Sequence, residues 1–138
     1  MIIGQEVLYP LQYRQIFRVS FVSILSVAWA IYNGHYLIAA VVPGGVFVTS
    51  VNYWRKPTAS SIRRTIDIYY VHGATFFQLA WFYKSPNMSI YLLFLFTAIA
   101  FYQYGWYLYR RQNYWGSTHA HCMLHIMANI GNMVLYKK

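Results

Sequence analysis

Acidic side chains are almost missing from this chain. Glu6 and Asp67 are the only two, against eleven Lys and Arg in 138 residues, which gives a formal charge of +9. Two carboxylates cannot supply a paired-carboxylate glycosidase centre beside structural ion pairs, nor a calcium or magnesium cage. Cysteine occurs once, as Cys122. That excludes an intramolecular disulfide, a CxxC redox pair and an all-cysteine zinc site. Charge of any sign is scarce: 9% of residues are charged and 59% are hydrophobic, where soluble domains carry roughly a quarter charged. The composition weighs strongly against a water-soluble domain. The basic residues form no long tract, and the apolar stretches between them are too long for a soluble nucleic-acid module, so no nucleic-acid partner is expected.

What is present is a series of apolar segments. A membrane-spanning helix needs about 20 mostly apolar residues. Residues 16–33, 36–54, 65–83, 88–109 and 118–136 qualify in varying degree. The third and fifth are the least apolar, since they hold Asp67, His72 and a histidine cluster. Pro43-Gly44-Gly45 predicts a kink or unwinding midway through the second. Short links, Gly34-His35 and Lys84 to Asn87, favour antiparallel neighbours. The expected fold is all-α: one domain over residues 1–138, an integral membrane helical bundle of about five transmembrane helices. An up-down path then sorts the bases. Arg14, Arg18, Arg55, Lys56, Arg63, Arg64, Arg110 and Arg111 fall at one end, and Lys84, Lys137 and Lys138 at the other. The basic end marks the cytoplasmic or matrix-like side, which puts the N-terminus inside. Residues 1–14 have no basic leader or small-residue cleavage site and do not read as a secretory signal. They are expected along the interface, held by Tyr9 and Tyr13. Aromatics make up 21% of the chain, fifteen of them Tyr, and many stand near span ends as an aromatic belt does.

Ionisable groups inside a membrane are costly, so each invites a functional reading. Ser50 lies near the inner end of the second span. Asp67 and His72 open the third, and His119, His121 and His125 open the fifth. All six are therefore expected in the inner half of the bilayer. His121 and His125 share a helix face and can chelate one metal, while His119 points elsewhere. Three imidazoles, His72, His121 and His125, with a carboxylate nearby suit zinc with an open position for water. Zinc would make that water a nucleophile near neutral pH. Asp67 would act as base or ligand, and Ser50 would hold the oxyanion or the water. The plainer readings stand beside this. Asp67 neutralises Arg63 and Arg64, Ser50 bonds its own helix, and the histidines bond across helices. Cys122 reads as a packing residue and His35 as an exposed loop residue. Gly131 reads as a point of close helix approach, and Asn129 and Asn132 as interhelical hydrogen bonders.

The layout resembles the CREST superfamily, which includes alkaline ceramidases and the progestin and adipoQ receptors. That family has seven helices. It carries Ser-x-x-x-His near the end of one span, Asp near the start of the next, and His-x-x-x-His in the last. Here Ser50 begins SVNYW, Asp67 sits in RRTIDIYY, and His121 and His125 sit in HAHCMLHIMANIGN. The fourth residue after Ser50 is Trp54, so His72 would have to replace the family's first histidine. The resemblance implies a zinc-dependent lipid amide hydrolase with a lipid substrate, or a catalytically reduced relative.

A second class of function is a non-catalytic membrane subunit of a large assembly, such as a respiratory or photosynthetic complex or a viral inner membrane. Small size, basicity, aromatic content and minimal loops favour it. A carrier built on the broken second span and a haem held by His72 and His125 rank behind these two.

Overall fold

The computed structural model describes residues 6–138. The part of the N-terminal reading that falls on residues 1–5 lies outside them. Seven α-helical segments, α1 Pro10–Ser20, α2 Ser23–Tyr32, α3 Tyr36–Ala39, α4 Gly45–Trp54, α5 Ile62–Trp81, α6 Met88–Arg110 and α7 Tyr114–Tyr136, build five antiparallel rods. α1 with α2 forms the first rod, and α3 with α4 the second. Among the described residues there is no strand, only an isolated bridge between Glu6 and Thr58. Three rods are long and apolar enough to cross a membrane: Pro10–Tyr32, Tyr36–Trp54 and Met88–Arg110. α5 and α7 have the length, 20 and 23 residues, but are not among those three.

Local chemistry sets the helix limits, and several helices begin earlier than hydropathy suggests. Pro10 at the first position and the Gln12 side chain, which accepts from the Tyr9 N–H at 3.1 Å, start α1 six residues before the expected span. Ser61 caps α5 by accepting from the Arg64 N–H at 3.2 Å. Asn113 does the same for α7 through the Gly116 N–H at 2.9 Å. The first rod breaks at Phe21-Val22, where Ser20 turns its hydroxyl back onto the Ile16 carbonyl at 2.8 Å. Such back-bonding bends helices.

The second rod is distorted where expected, but it does not unwind. Pro43 has no N–H for the Ala39 carbonyl, and the ladder widens to a π turn over Ala40–Gly44. The Tyr70 hydroxyl, from α5, donates to the Val41 carbonyl at 2.6 Å. Gly45 makes room for it, since a Cβ there would collide with the Tyr70 ring and hydroxyl.

α7 is the central rod, packed against α1, α2 and α6. At the far end, Ala30, Ile38, Val42, Tyr91, Leu135 and Tyr136 form the larger apolar core. At the basic end, Leu8, Tyr13, Ile16, Tyr53 and Trp54 form the smaller one. Tyr13 is thus buried in the core, whereas an interfacial position was expected. Tyr9, 67% exposed, does stay at the surface. His35 is half-buried, edge-on to Phe82 with ring centres 5.2 Å apart, so it is a packing residue rather than an idle loop group.

Two of the links close with the same six-residue motif. At the end of α2, His35 N–H bonds the Ala30 carbonyl at 2.8 Å and Gly34 N–H bonds Ile31 at 2.9 Å, with Gly34 at φ 78°. At the end of α6, Asn113 N–H bonds Leu108 and Gln112 N–H bonds Tyr109, both at 2.9 Å, but the left-handed position holds Gln112 at φ 61°. Glycine adopts that conformation without the steric cost that glutamine carries. Gln112→Gly is therefore expected to raise stability by about 0.5–1 kcal/mol, seen as a higher unfolding temperature in detergent, with no change in helix content.

Candidate functional site

The residues expected to form one pocket fall into two groups, with one histidine outside both. The first group joins α4 to α5. Thr49 and Ser50 hydroxyls donate to the same carboxylate oxygen of Asp67, at 2.9 and 3.0 Å. Ser50 and Asp67 are both buried. The neighbouring arginines are occupied elsewhere: Arg63 donates to the Asn52 and Lys56 carbonyls at 3.1 and 2.8 Å, and Arg64 lies over the Trp106 ring at 5.8 Å. Asp67 is therefore tied to hydroxyls rather than standing as a partner for the adjacent bases.

The second group is the imidazole pair of α7. The rings of His121 and His125, one turn apart, lie edge to face with centres 5.1 Å apart. Trp54 packs against His121 at 4.7 Å. His125 is buried, and its Nε2 has no hydrogen-bond partner. Half-buried Cys122 packs into the basic-end core beside this pair, as a packing residue should. His119 is exposed and lies against Trp115, away from the pair.

His72 joins neither group. It is exposed, and its Nδ1 meets the Ile68 carbonyl of its own helix at 2.7 Å. Because α5 starts at Ile62, His72 stands about 15 Å along a helix of about 30 Å, at its midpoint and not in its first turns. His125 is similarly about 16 Å along α7, whereas Asp67 and His121 are about 7 and 10 Å from their helix starts. Measured along the rods, Ser50, Asp67 and His121 thus share a level near the basic end that His72 and His125 do not. Among the described residues no three His, Cys, Asp or Glu side chains stand close enough together to hold a metal ion.

Two further polar knots complete the interior. Asn129 of α7 accepts from the Ser26 hydroxyl at 2.6 Å and donates to the His125 carbonyl at 2.8 Å. Gln78 of α5 donates to the Tyr91 hydroxyl of α6 and to Asn132 of α7, both at 2.8 Å, and accepts from the Tyr136 hydroxyl. Asn129 and Asn132 are thus the interhelical bonders their sequence position suggests. Gly131 lets α6 close in, since a Cβ there would stand 2.9 Å from that of Phe94. Gln78 went unread, although a lone glutamine in an apolar span was a signal for it.

Comparison of the chain with protein-family models, with curated proteins and with solved structures finds no match.

The Asp67 knot has a measurable weight. Asp67→Ala leaves two buried hydroxyls without their acceptor and is expected to cost about 1–3 kcal/mol. Asp67→Asn keeps an acceptor oxygen and should cost less. Denaturation of both variants in detergent, with Ser50→Ala as the second arm of a double-mutant cycle, measures the coupling. Zero coupling between positions 50 and 67 would refute the assignment.

Proposed function

We propose that this is an integral membrane protein of CREST-like layout, its N-terminus on the cytoplasmic or matrix-like side, in which the polar layer holds helices together and no longer hydrolyses lipid. It acts as a non-catalytic membrane subunit, working through its surfaces. The observation that carries this reading is the contact of Trp54 with His121. Trp54 is the fourth residue after Ser50, the place where the family carries its first zinc-ligating histidine. That place adjoins the imidazole pair, as the layout requires, yet an indole ring fills it. An indole N–H donates and cannot ligate. The residues at hand therefore do not complete a zinc site, which takes at least three protein ligands. The Ser50 and Asp67 side chains, which the resemblance would make catalytic, are spent on each other.

One observation favours a second reading. The buried, unpartnered Nε2 of His125 is a ligand-capable atom with nothing on it. With zinc on His121 and His125, Asp67 drawn in as the third ligand, Ser50 holding the oxyanion and a lipid substrate, the protein would be the lipid amide hydrolase that the resemblance implies.

Metal analysis of the purified protein separates the two. The reduced reading expects wild type to carry no stoichiometric zinc. It expects Trp54→His to gain about one zinc per chain by restoring a third imidazole, and His121→Ala to abolish that gain. Stoichiometric zinc in wild type, lost in His121→Ala, would replace it with the hydrolase reading.

A further inference from the structure

α5 is the least comfortable rod of the bundle. Like α7 it is not apolar enough to rank among the three candidate spans. α7 is enclosed by α1, α2 and α6, whereas α5 packs mainly against α4 and the π turn. The Gln78 knot, near its far end, and Arg64 over the Trp106 ring, at the basic end, reach α6 and α7. Its opposite side is bare. Ile66, Tyr69, His72, Gly73, Phe76 and Ala80 are all exposed and form one stripe. Ile66, Gly73 and Ala80 recur every seven residues, as do Tyr69 and Phe76, which is the repeat of a helix that packs along another helix.

The chemistry of the stripe is wrong for hydrocarbon. His72 stands at the midpoint of α5. The Ile68 carbonyl can only accept, so Nδ1 donates to it and Nε2 is the ring nitrogen left for an outside partner. Lipid tails offer it no donor, and an imidazole facing them is costly. The outward face of α6 carries only apolar side chains through its middle, Leu93, Phe96 and Ile99 among them, its exposed Gln103 lying nearer the basic end. One turn before His72 is Tyr69, 74% exposed, with a hydroxyl to donate. Beside them, Gly73 faces open space, with nothing within 4 Å of a Cβ built there. Between the stripe and Val41 of the second rod lies an open groove of about 520 Å³.

We infer that the outward stripe of α5 is the contact face of a two-fold dimer, its occupant a second copy of this chain. A two-fold axis beside Gly73 sets the Tyr69 hydroxyl of each copy against His72 of the other, so one self-complementary patch satisfies both groups twice. Gly73 lets the two backbones approach, and the groove receives side chains from the facing helix. A lipid tail supplies neither donor nor acceptor. An unrelated helix would need its own donor at this depth, whereas the stripe carries one already. The inference rests on the membrane placement proposed above.

The test begins with carbonate extraction of membranes from expressing cells, then measures association of labelled protein in liposomes by energy transfer across a range of lipid ratios. Wild type is expected to resist extraction and to dimerise. Tyr69→Phe and His72→Leu are each expected to weaken association about tenfold, the combined scale of the two symmetry-related interhelical bonds that each change removes in a bilayer. The double variant should be no weaker than either single one, because both remove the same two bonds. Gly73→Ile is expected to abolish the dimer while leaving the monomer folded, since its side chain enters open space. A Gly73→Cys variant on a Cys122→Ser background should cross-link to itself. Extraction by carbonate would sink the membrane placement and the dimer together. Resistance to extraction with a wild-type monomer, additive effects of the two polar variants, or cross-linking of the Gly73→Cys variant to a different protein would overturn the dimer alone.

Discussion

Among the described buried side chains every polar group but the Nε2 of His125 finds a partner inside the bundle. Where water is excluded an unmet donor or acceptor costs more than a met one gains, and nearly all the rest of the structure follows from that constraint. Three knots meet it. Asp67 gathers two hydroxyls from α4, Asn129 ties α7 to α2, and Gln78 ties α5 to α6 and α7. Apolar packing alone slides easily from one register to another, because one methyl contact resembles the next. Each knot has a single geometry, so together they fix which rods are neighbours and at what height.

The constraint also sorts the histidines. His125 is sheltered, His121 is covered by an indole ring, and His72 faces outward with one nitrogen bonded to its own backbone. A histidine pair in a helix is thus compatible with two different modes of use. In one, rings gather on a cation; in the other, they are packed as aromatic bodies. In this structure Trp54 lies against His121 and the pair is packed in the second way.

Much of the architecture was legible in the sequence, for reasons that can be named. Pro43 lacks a donor whatever surrounds it, so a ladder defect was certain. Gly34 between two apolar runs marked a turn that only a left-handed residue closes. The split of the bases between the two ends required only an up-down path. The helix starts were not legible from hydropathy, because Pro10 and Ser61 act through backbone donors that no hydropathy window sees. The direction of His72 was hidden for a different reason. In a rod apolar on several sides, periodicity does not reveal which side meets the neighbour, and here the Asp67 knot, five residues earlier, turns α5 so that His72 points away. The break at Phe21-Val22 depends on a serine hydroxyl choosing its own backbone, which many helical serines do not do.

The short stretch before α1 is held by groups far along the chain. Val7 N–H bonds the Pro57 carbonyl at 3.0 Å, and its carbonyl accepts from the Tyr109 hydroxyl at 3.0 Å. The ribosome makes Val7 more than a hundred residues before Tyr109. The Pro57 partner is available once two rods exist, whereas the Tyr109 hydroxyl comes only with the fourth. The stretch is therefore fastened in two stages, and a chain arrested before α6 would hold it by the first alone.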